Sequence, residues 1–183
     1  MKMYNLYGPV ARFAEDDGIE ASLQSVCLGC GWIRHRFRDV NSESLSLLKR
    51  MGGDYTTDTM PVPFPSTAYR LALLSEKTDR KIAFLSHTMD KIRDLFSDNM
   101  ETVTWNKTEL EHFKVVLHRQ SHELHRCVSS NSKHEWKLKT YFRTLHKTVL
   151  KEMKHSAQSW ELVRKAVERH LEHLDLLASS IKM

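Results

Sequence analysis

The sequence has few of the residues that interrupt regular structure. Among its 183 residues are six glycines and four prolines, too few for the many tight turns of an all-β fold. No apolar run approaches the roughly 18–20 residues that a membrane-spanning helix needs. Hydrophobic residues make up 40% of the chain and charged residues 28%. This composition predicts one soluble globular domain with a substantial core and no membrane insertion.

Motifs of enzymes are also absent from the sequence. It contains no Gly-x-Ser-x-Gly, no glycine-rich phosphate loop and no His-Glu-x-x-His. We therefore predict a protein that is not an enzyme, with no catalytic residue and no cofactor.

Cysteine is scarce, with Cys27, Cys30 and Cys127 as the only three. None of the usual zinc-binding spacings occurs, and a lone Cys-x-x-Cys outside a βαβ pattern is weak evidence for redox chemistry. Residues 1–29 lack the 7–15 apolar residues of a signal-peptide core. We interpret them as an atypical leader or an alternative N-terminal segment, disordered, ahead of a helical domain at residues 30–183.

From Cys30 onwards, apolar residues recur at helical spacing and no long stretch alternates with period two. The pattern predicts an all-α bundle of five main helices with one long loop after the first. Gly52-Gly53 is expected to end the first helix, and either Thr78 or Asp79 to cap the second.

The third helix is expected to begin at Asn106, which has a capping-box partner in Glu109. In the last helix, an apolar stripe that begins at Trp160 faces the core. The opposite side of that helix is predicted to present four charged residues to solvent: Arg164, Lys165, Glu168 and Arg169.

Histidine patterns raise the alternative of a metal-binding helical-bundle enzyme. The pairs Glu109–His112 and Glu152–His155 match part of a di-iron site, but no inward Glu is expected on the other helices. Three histidines share one face of the third helix, opposite its apolar seam and with no carboxylate or cysteine expected beside them: His118, His122 and His125. We interpret them as surface residues and predict no metal ligand.

The net charge of +5 is concentrated in one stretch. Between Lys133 and His170 there are ten Lys or Arg against four Glu. Such a stretch can bind an acidic partner, a heparan-type polyanion or a nucleic acid. Because no nucleic-acid motif or aromatic platform accompanies it, no nucleic-acid binding is predicted, and a polyanion-binding protein that uses residues 133–169 remains an alternative.

Four segments resemble the type I interferons, and within them the two-cysteine group of teleost fishes. These are Cys30-Gly31-Trp32, the first helix over residues 41–53, the span from Trp105 to Cys127, and the opening of the last helix at residues 156–164. The resemblance covers Cys30 to Met183. It implies a secreted antiviral cytokine that joins two class II cytokine receptor chains and triggers JAK–STAT signalling.

The resemblance also implies roles for particular residues. The high-affinity receptor chain would meet Arg164, Lys165, Glu168 and Arg169 with part of the first loop, and the second chain would meet Glu109, Lys114 and His118. A Cys30–Cys127 disulfide would tie the N-terminus to the third helix. Asn106-Lys107-Thr108 is a glycosylation sequon that matters only if the chain is secreted. Since residues 1–29 lack an export signal, a variant retained inside the cell is the alternative.

Overall fold

The computed structural model describes residues 30–128 and 136–182, and every regular element within these ranges is helical. The segment 1–29, with Cys27, lies outside them, as does Lys133. A short helix α1 is described over residues 30–35. The other helices follow in order: α2 (Phe37–Gly52), α3 (Ser66–Leu73), α4 (Thr78–Leu95), α5 (Lys107–His125), α6 (Trp136–Leu145) and α7 (Ala157–Ser179). The predicted all-α bundle is confirmed.

Helix α2 ends where the two glycines predicted it would. Gly53 follows the helix with a φ of +66°, a conformation in which glycine avoids the strain of a side chain. The chain then runs as a long connection to α3. This connection, the first loop, crosses the outer side of α7.

The predicted cap of α5 is confirmed, the predicted cap of α4 is not, and α7 has a cap that was not predicted. The side chain of Asn106 accepts a hydrogen bond from the backbone N–H of Glu109 at 3.1 Å, and that of Ser156 accepts from Ser159 at 3.2 Å. The prediction that Thr78 or Asp79 caps α4 was wrong. Lys77 holds the cap position and makes no side-chain capping bond, so Thr78 is already inside the helix.

Helix α6 continues into a π-helical turn at His146–Lys151, which the sequence did not predict. Within this turn the N–H of Glu152 donates to the carbonyl of Lys147 at 3.0 Å, five residues back. The extra residue changes the helical phase, so that Val149 and Leu150 are both buried. Lys154 and His155, both with positive φ, then turn the chain into α7.

Four long helices form the bundle. Helix α2 packs against α5 and α7, and α4 packs against the same two, so α5 and α7 lie diagonally across the core. Helix α6 and its π-helical turn lie against α4 and α7. An aromatic group fills one end of the core: Phe96, Trp105, Phe113 and Trp160.

Candidate functional site

The outer side of α7 does not present Arg164 to solvent, and the prediction that it does was wrong. The side chain of Arg164 is 0% exposed. Its guanidinium donates to the carboxylate of Glu161 at 2.8 Å and to four backbone carbonyls at the end of α2. The carbonyls and their distances are Leu48 at 3.0 Å, Gly53 at 3.1 Å, Gly52 at 3.4 Å and Asp54 at 3.0 Å. Arg164 therefore holds the start of the first loop against α7.

Lys165 is half-buried because it binds the same loop further along. Its Nζ donates to the carbonyls of Thr56 at 2.9 Å and of Asp58 at 3.2 Å. Gln158 adds a bond to the carboxylate of Asp58 at 2.9 Å, and this bond, with one from Thr56, lowers the pKa of Asp58. Most of the hydrogen-bonding capacity of Lys165 is thus directed at the protein itself.

Glu168 is half-buried beside Tyr55, another residue of the first loop. The ring centroid of Tyr55 lies 4.1 Å from the guanidinium carbon of Arg164. Burial raises the pKa of Glu168, and burial together with the Glu168 carboxylate raises the pKa of Tyr55. Glu168 therefore belongs to the seam between helix and loop.

Arg169 is exposed, as the sequence predicted. Its guanidinium carbon lies 4.2 Å from the ring centroid of Phe64, near the end of the first loop. A cleft of about 240 Å³ opens beside this pair, between the loop, Tyr141 of α6 and Lys165 of α7. The cleft combines an apolar wall with two cations, which suits a partner that offers an apolar side chain and a carboxylate.

The outer side of α5 is a second charged surface, and it is built differently. The carboxylate of Glu109 lies 3.0 Å from the guanidinium of Arg50, and Nζ of Lys114 lies 3.0 Å from the carboxylate of Glu111. His118 is exposed beside a groove that Arg93 also lines. Glu109 therefore lies at the edge of α5 beside α2, and Lys114 and His118 lie at the edge beside α4, so the three predicted residues flank the outer side of α5.

The histidines outside α7 occupy positions that the sequence predicted only in part. His118, His122 and His125 are exposed, as predicted. The expectation that no carboxylate stands beside them was wrong, because Asp90 of α4 lies 2.9 Å from His125. His112 lies 3.2 Å from Glu43.

The structure brings Cys30 and Cys127 together in the core. Sγ of Cys30 lies 3.8 Å from the backbone carbonyl oxygen of Cys127, and both side chains are buried. Burial and the neighbouring Cys30 raise the pKa of the Cys127 thiol. The two residues that the resemblance pairs are therefore neighbours in space.

Two further features bear on the expectations from sequence. Asn106 is exposed at the start of α5, where its Oδ1 serves as the cap. No helix in the described part of the chain is long and apolar enough to cross a membrane.

The resemblance placed part of the first loop at the receptor surface, but it did not indicate which loop residues lie there. Tyr55, Asp58 and Phe64 line the surface because α7 residues more than 100 positions later in the chain contact them. The signals available were the Gly52-Gly53 pair, which marks a close approach, and the prolines that surround Phe64. Neither signal indicates which helix the loop covers.

Comparisons with known proteins agree with this architecture. Residues 33–181 match the family model of the interferon alpha/beta domain. The chain is 47% identical to interferon a3 of Oncorhynchus mykiss over 163 residues, which cover 89% of this chain and 93% of the trout protein.

Two solved structures are similar as well. Zebrafish interferon 1 has a TM-score of 0.74 and 37% identity, with 84% of this chain and 100% of that chain covered. Zebrafish interferon 2 has a TM-score of 0.61 and 25% identity, with 75% of this chain and 96% of that chain covered.

Proposed function

Because the chain belongs to the type I interferon family, whose members are antiviral cytokines and not enzymes, we propose that it acts by bridging two class II cytokine receptor chains. The bridging would trigger JAK–STAT signalling and antiviral gene expression. One observation carries the proposal: α5 and α7 lie diagonally in the bundle, so their outer sides face opposite directions. One molecule can thereby contact two receptor chains at once.

The surface for the high-affinity receptor chain consists of Arg169, Phe64 and the rim of the cleft between them. Arg169 is exposed and its guanidinium carbon lies 4.2 Å from the ring centroid of Phe64, a contact that preorganises the side chain and favours a binding hot spot. Lys165 and Glu168 are half-buried and contribute at the edge. Arg164 has no exposed surface, so its role is to position the loop and not to contact the receptor.

The surface for the second receptor chain consists of Glu109, Lys114 and His118 on α5. Glu109 pairs with Arg50 and Lys114 pairs with Glu111 at the surface, so these ion pairs can be exchanged for receptor groups at low cost. We expect a weaker contact here than at Arg169.

The first test is the substitution Arg169→Ala in the full chain. It should weaken binding to the high-affinity receptor ectodomain by more than about 1 kcal/mol, or about fivefold in Kd. Thermal unfolding should be nearly unchanged because the side chain is exposed. Arg126→Ala, an exposed arginine at the far end of α5, is the matched control and should leave Kd unchanged. Equal Kd for Arg169→Ala and wild type would refute the contact.

The second test separates bridging from simple binding. Charge reversal by Lys114→Glu should leave Kd for the high-affinity chain unchanged and reduce STAT phosphorylation in responsive fish cells. An unaltered STAT response, at doses below saturation, would remove α5 from the proposal.

Secretion and the Cys30–Cys127 disulfide belong to the same proposal. Oxidation would close a loop of 97 residues and stabilise the fold by about 4–5 kcal/mol in the chain-entropy model. Export from the cell would also expose Asn106 to N-glycosylation. Mass spectrometry of the protein collected from the culture medium, before and after reduction and glycosidase treatment, tests all three statements.

A second candidate function is binding to heparan-type polyanions. Four exposed basic side chains recur every fourth residue along α6 and its π-helical turn: Lys139, Arg143, Lys147 and Lys151. A stripe of this kind suits a linear polyanion. Retention on heparin that falls steeply with salt, and that drops in Arg143→Ala with Lys147→Ala, would support it.

A further inference from the structure

Three side chains with metal-binding groups meet beside the connection between α6 and α7. Asp98 lies in the turn after α4, His146 begins the π-helical turn, and His155 precedes α7. Oδ2 of Asp98 is 2.5 Å from Nε2 of His146 and 3.2 Å from Nε2 of His155. The ligand atoms of the three residues all lie within 4.8 Å of one another. Two imidazoles and one carboxylate form a ligand set found in three-ligand zinc sites.

The backbone that brings the two histidines together is unusual. His146 is the first residue of the π-helical turn, and the N–H of His155 donates to the carbonyl of Leu150 at 2.7 Å. Lys154 and His155 have φ values of +54° and +51°, a region that residues other than glycine rarely occupy. Both π-helical turns and left-handed residues are concentrated at functional sites. The positive φ values of Lys154 and His155 thus accompany a backbone path that places the His155 side chain beside Asp98.

The surroundings also suit a metal ion. The side chains of His146, Asp98 and His155 are 33%, 25% and 23% exposed, so the cluster lies near the surface. Nε2 of His155 is buried and has no well-formed hydrogen bond, and a metal ion would supply its missing partner. The backbone N–H of Asn99 donates to Oδ1 of Asp98 at 2.8 Å and fixes the carboxylate. Thr102 donates its hydroxyl to the carbonyl of His155. Such outer contacts orient the ligands of metal sites.

We propose that Asp98, His146 and His155 bind a zinc ion, with water as the fourth ligand. Zinc–nitrogen and zinc–oxygen bonds of about 2.0–2.2 Å place tetrahedral ligand atoms about 3.3 Å apart. The Asp98–His155 separation of 3.2 Å already fits this value, and the Asp98–His146 separation of 2.5 Å must widen by less than about 1 Å. The ion joins the end of α4 to the corner between α6 and α7.

Zinc titration of the metal-free full chain tests the proposal. Isothermal calorimetry with zinc sulfate at pH 7.4 should give one ion per chain, and cobalt(II) should give the visible bands of a tetrahedral site. His146→Gln and Asp98→Asn should each bind zinc at least about tenfold more weakly. His122→Gln is the matched control, since this exposed histidine lies on α5 outside the cluster, and it should bind as wild type does.

A further variant guards against loss of the fold. In His155→Asn the new residue tolerates a positive φ, so the corner is kept while a zinc ligand is lost. In EDTA, the circular dichroism spectrum of His155→Asn should match that of wild type. Added zinc should raise the melting temperature of wild type but not that of His155→Asn. Absence of stoichiometric binding, or equal affinity in wild type and His146→Gln, would overturn the proposal. Near-ultraviolet thiolate bands with cobalt(II) would also overturn it, because they would assign the ion to the cysteines.

Discussion

The outer sides of α7 and α5 carry similar charged residues in very different environments. On α7, Arg164 and Lys165 donate to backbone carbonyls of the first loop. On α5, Lys114 and Glu109 pair with exposed or partly exposed side chains. The loop that crosses α7 makes the difference, because its end-of-helix carbonyls need donors and the nearest cations supply them. A charged helix face therefore becomes part of the fold when a loop covers it, and remains available to a partner when none does.

The largest expected effect comes from removing the buried cation of α7. Arg164→Met should lower the free energy of unfolding by about 3–5 kcal/mol, because four backbone carbonyls lose their buried donor and Glu161 loses its cationic partner. Urea denaturation of the variant and of wild type under the same conditions measures this difference in the free energy of unfolding. Arg126→Met removes an exposed arginine from α5 and should change stability by less than about 0.5 kcal/mol.

Gly52→Ala tests the same contact by adding a methyl group beside the Arg164 side chain. A Cβ at this position would lie 2.7 Å from the guanidinium carbon of Arg164, whereas a Cβ at Gly31 would meet nothing within 4 Å. We therefore expect Gly52→Ala to be destabilising and Gly31→Ala to be tolerated. Similar stability of Arg164→Met and wild type would mean that the loop is not held by this residue.

The next largest expected effect is on the pH dependence of stability, to which the buried His170 of α7 contributes and the exposed histidines of α5 serve as a comparison. Burial, together with the nearby His173 and Arg169, lowers the pKa of His170 on α7 to about 3. In the unfolded chain a histidine ionises near pH 6.5, so between pH 6.5 and about 3 only the unfolded chain takes up this proton. Acidification from pH 7 to pH 5 should therefore cost about 2 kcal/mol of stability through His170 alone.

The substitution His170→Gln removes this titration and should flatten the pH dependence by that amount. Denaturation curves at pH 5, 6 and 7 give the comparison. The exposed His122 of α5 provides the control, since His122→Gln should keep the wild-type slope. If His170→Gln retained the full slope, the acid sensitivity would have to arise elsewhere.

The long helices were predictable because their signal is local. Apolar residues at helical spacing, Gly52-Gly53 and the Asn106 cap act within a few residues, and the structure confirms them. The π-helical turn was not predictable, since it depends on how Val149 and Leu150 both fit the core.

The exposure of His118 on α5 was predictable, and that of Arg164 on α7 was misread, for a related reason. A helical wheel places Arg164 on the outer side of α7. It cannot show that a segment distant in sequence covers this residue. The carbonyls that bind Arg164 lie 110 to 116 residues earlier in the chain. No pattern within α7 contains that information, whereas the face of α5 that carries His118 stays uncovered and matches its wheel.

The smallest expected effect is the contribution of an exposed ion pair of α5 to the free energy of unfolding. Glu109→Gln keeps the shape of the side chain, and removes both the pair with Arg50 and a negative charge in the first turn of α5. Because the partners are 27% and 55% exposed, the loss of stability should be at most about 1 kcal/mol. It should shrink further in 0.5 M NaCl, where exposed charges are screened, while the loss in Arg164→Met should persist because that site is buried. A salt-insensitive loss in Glu109→Gln would show that α5 holds its charges as firmly as α7 does.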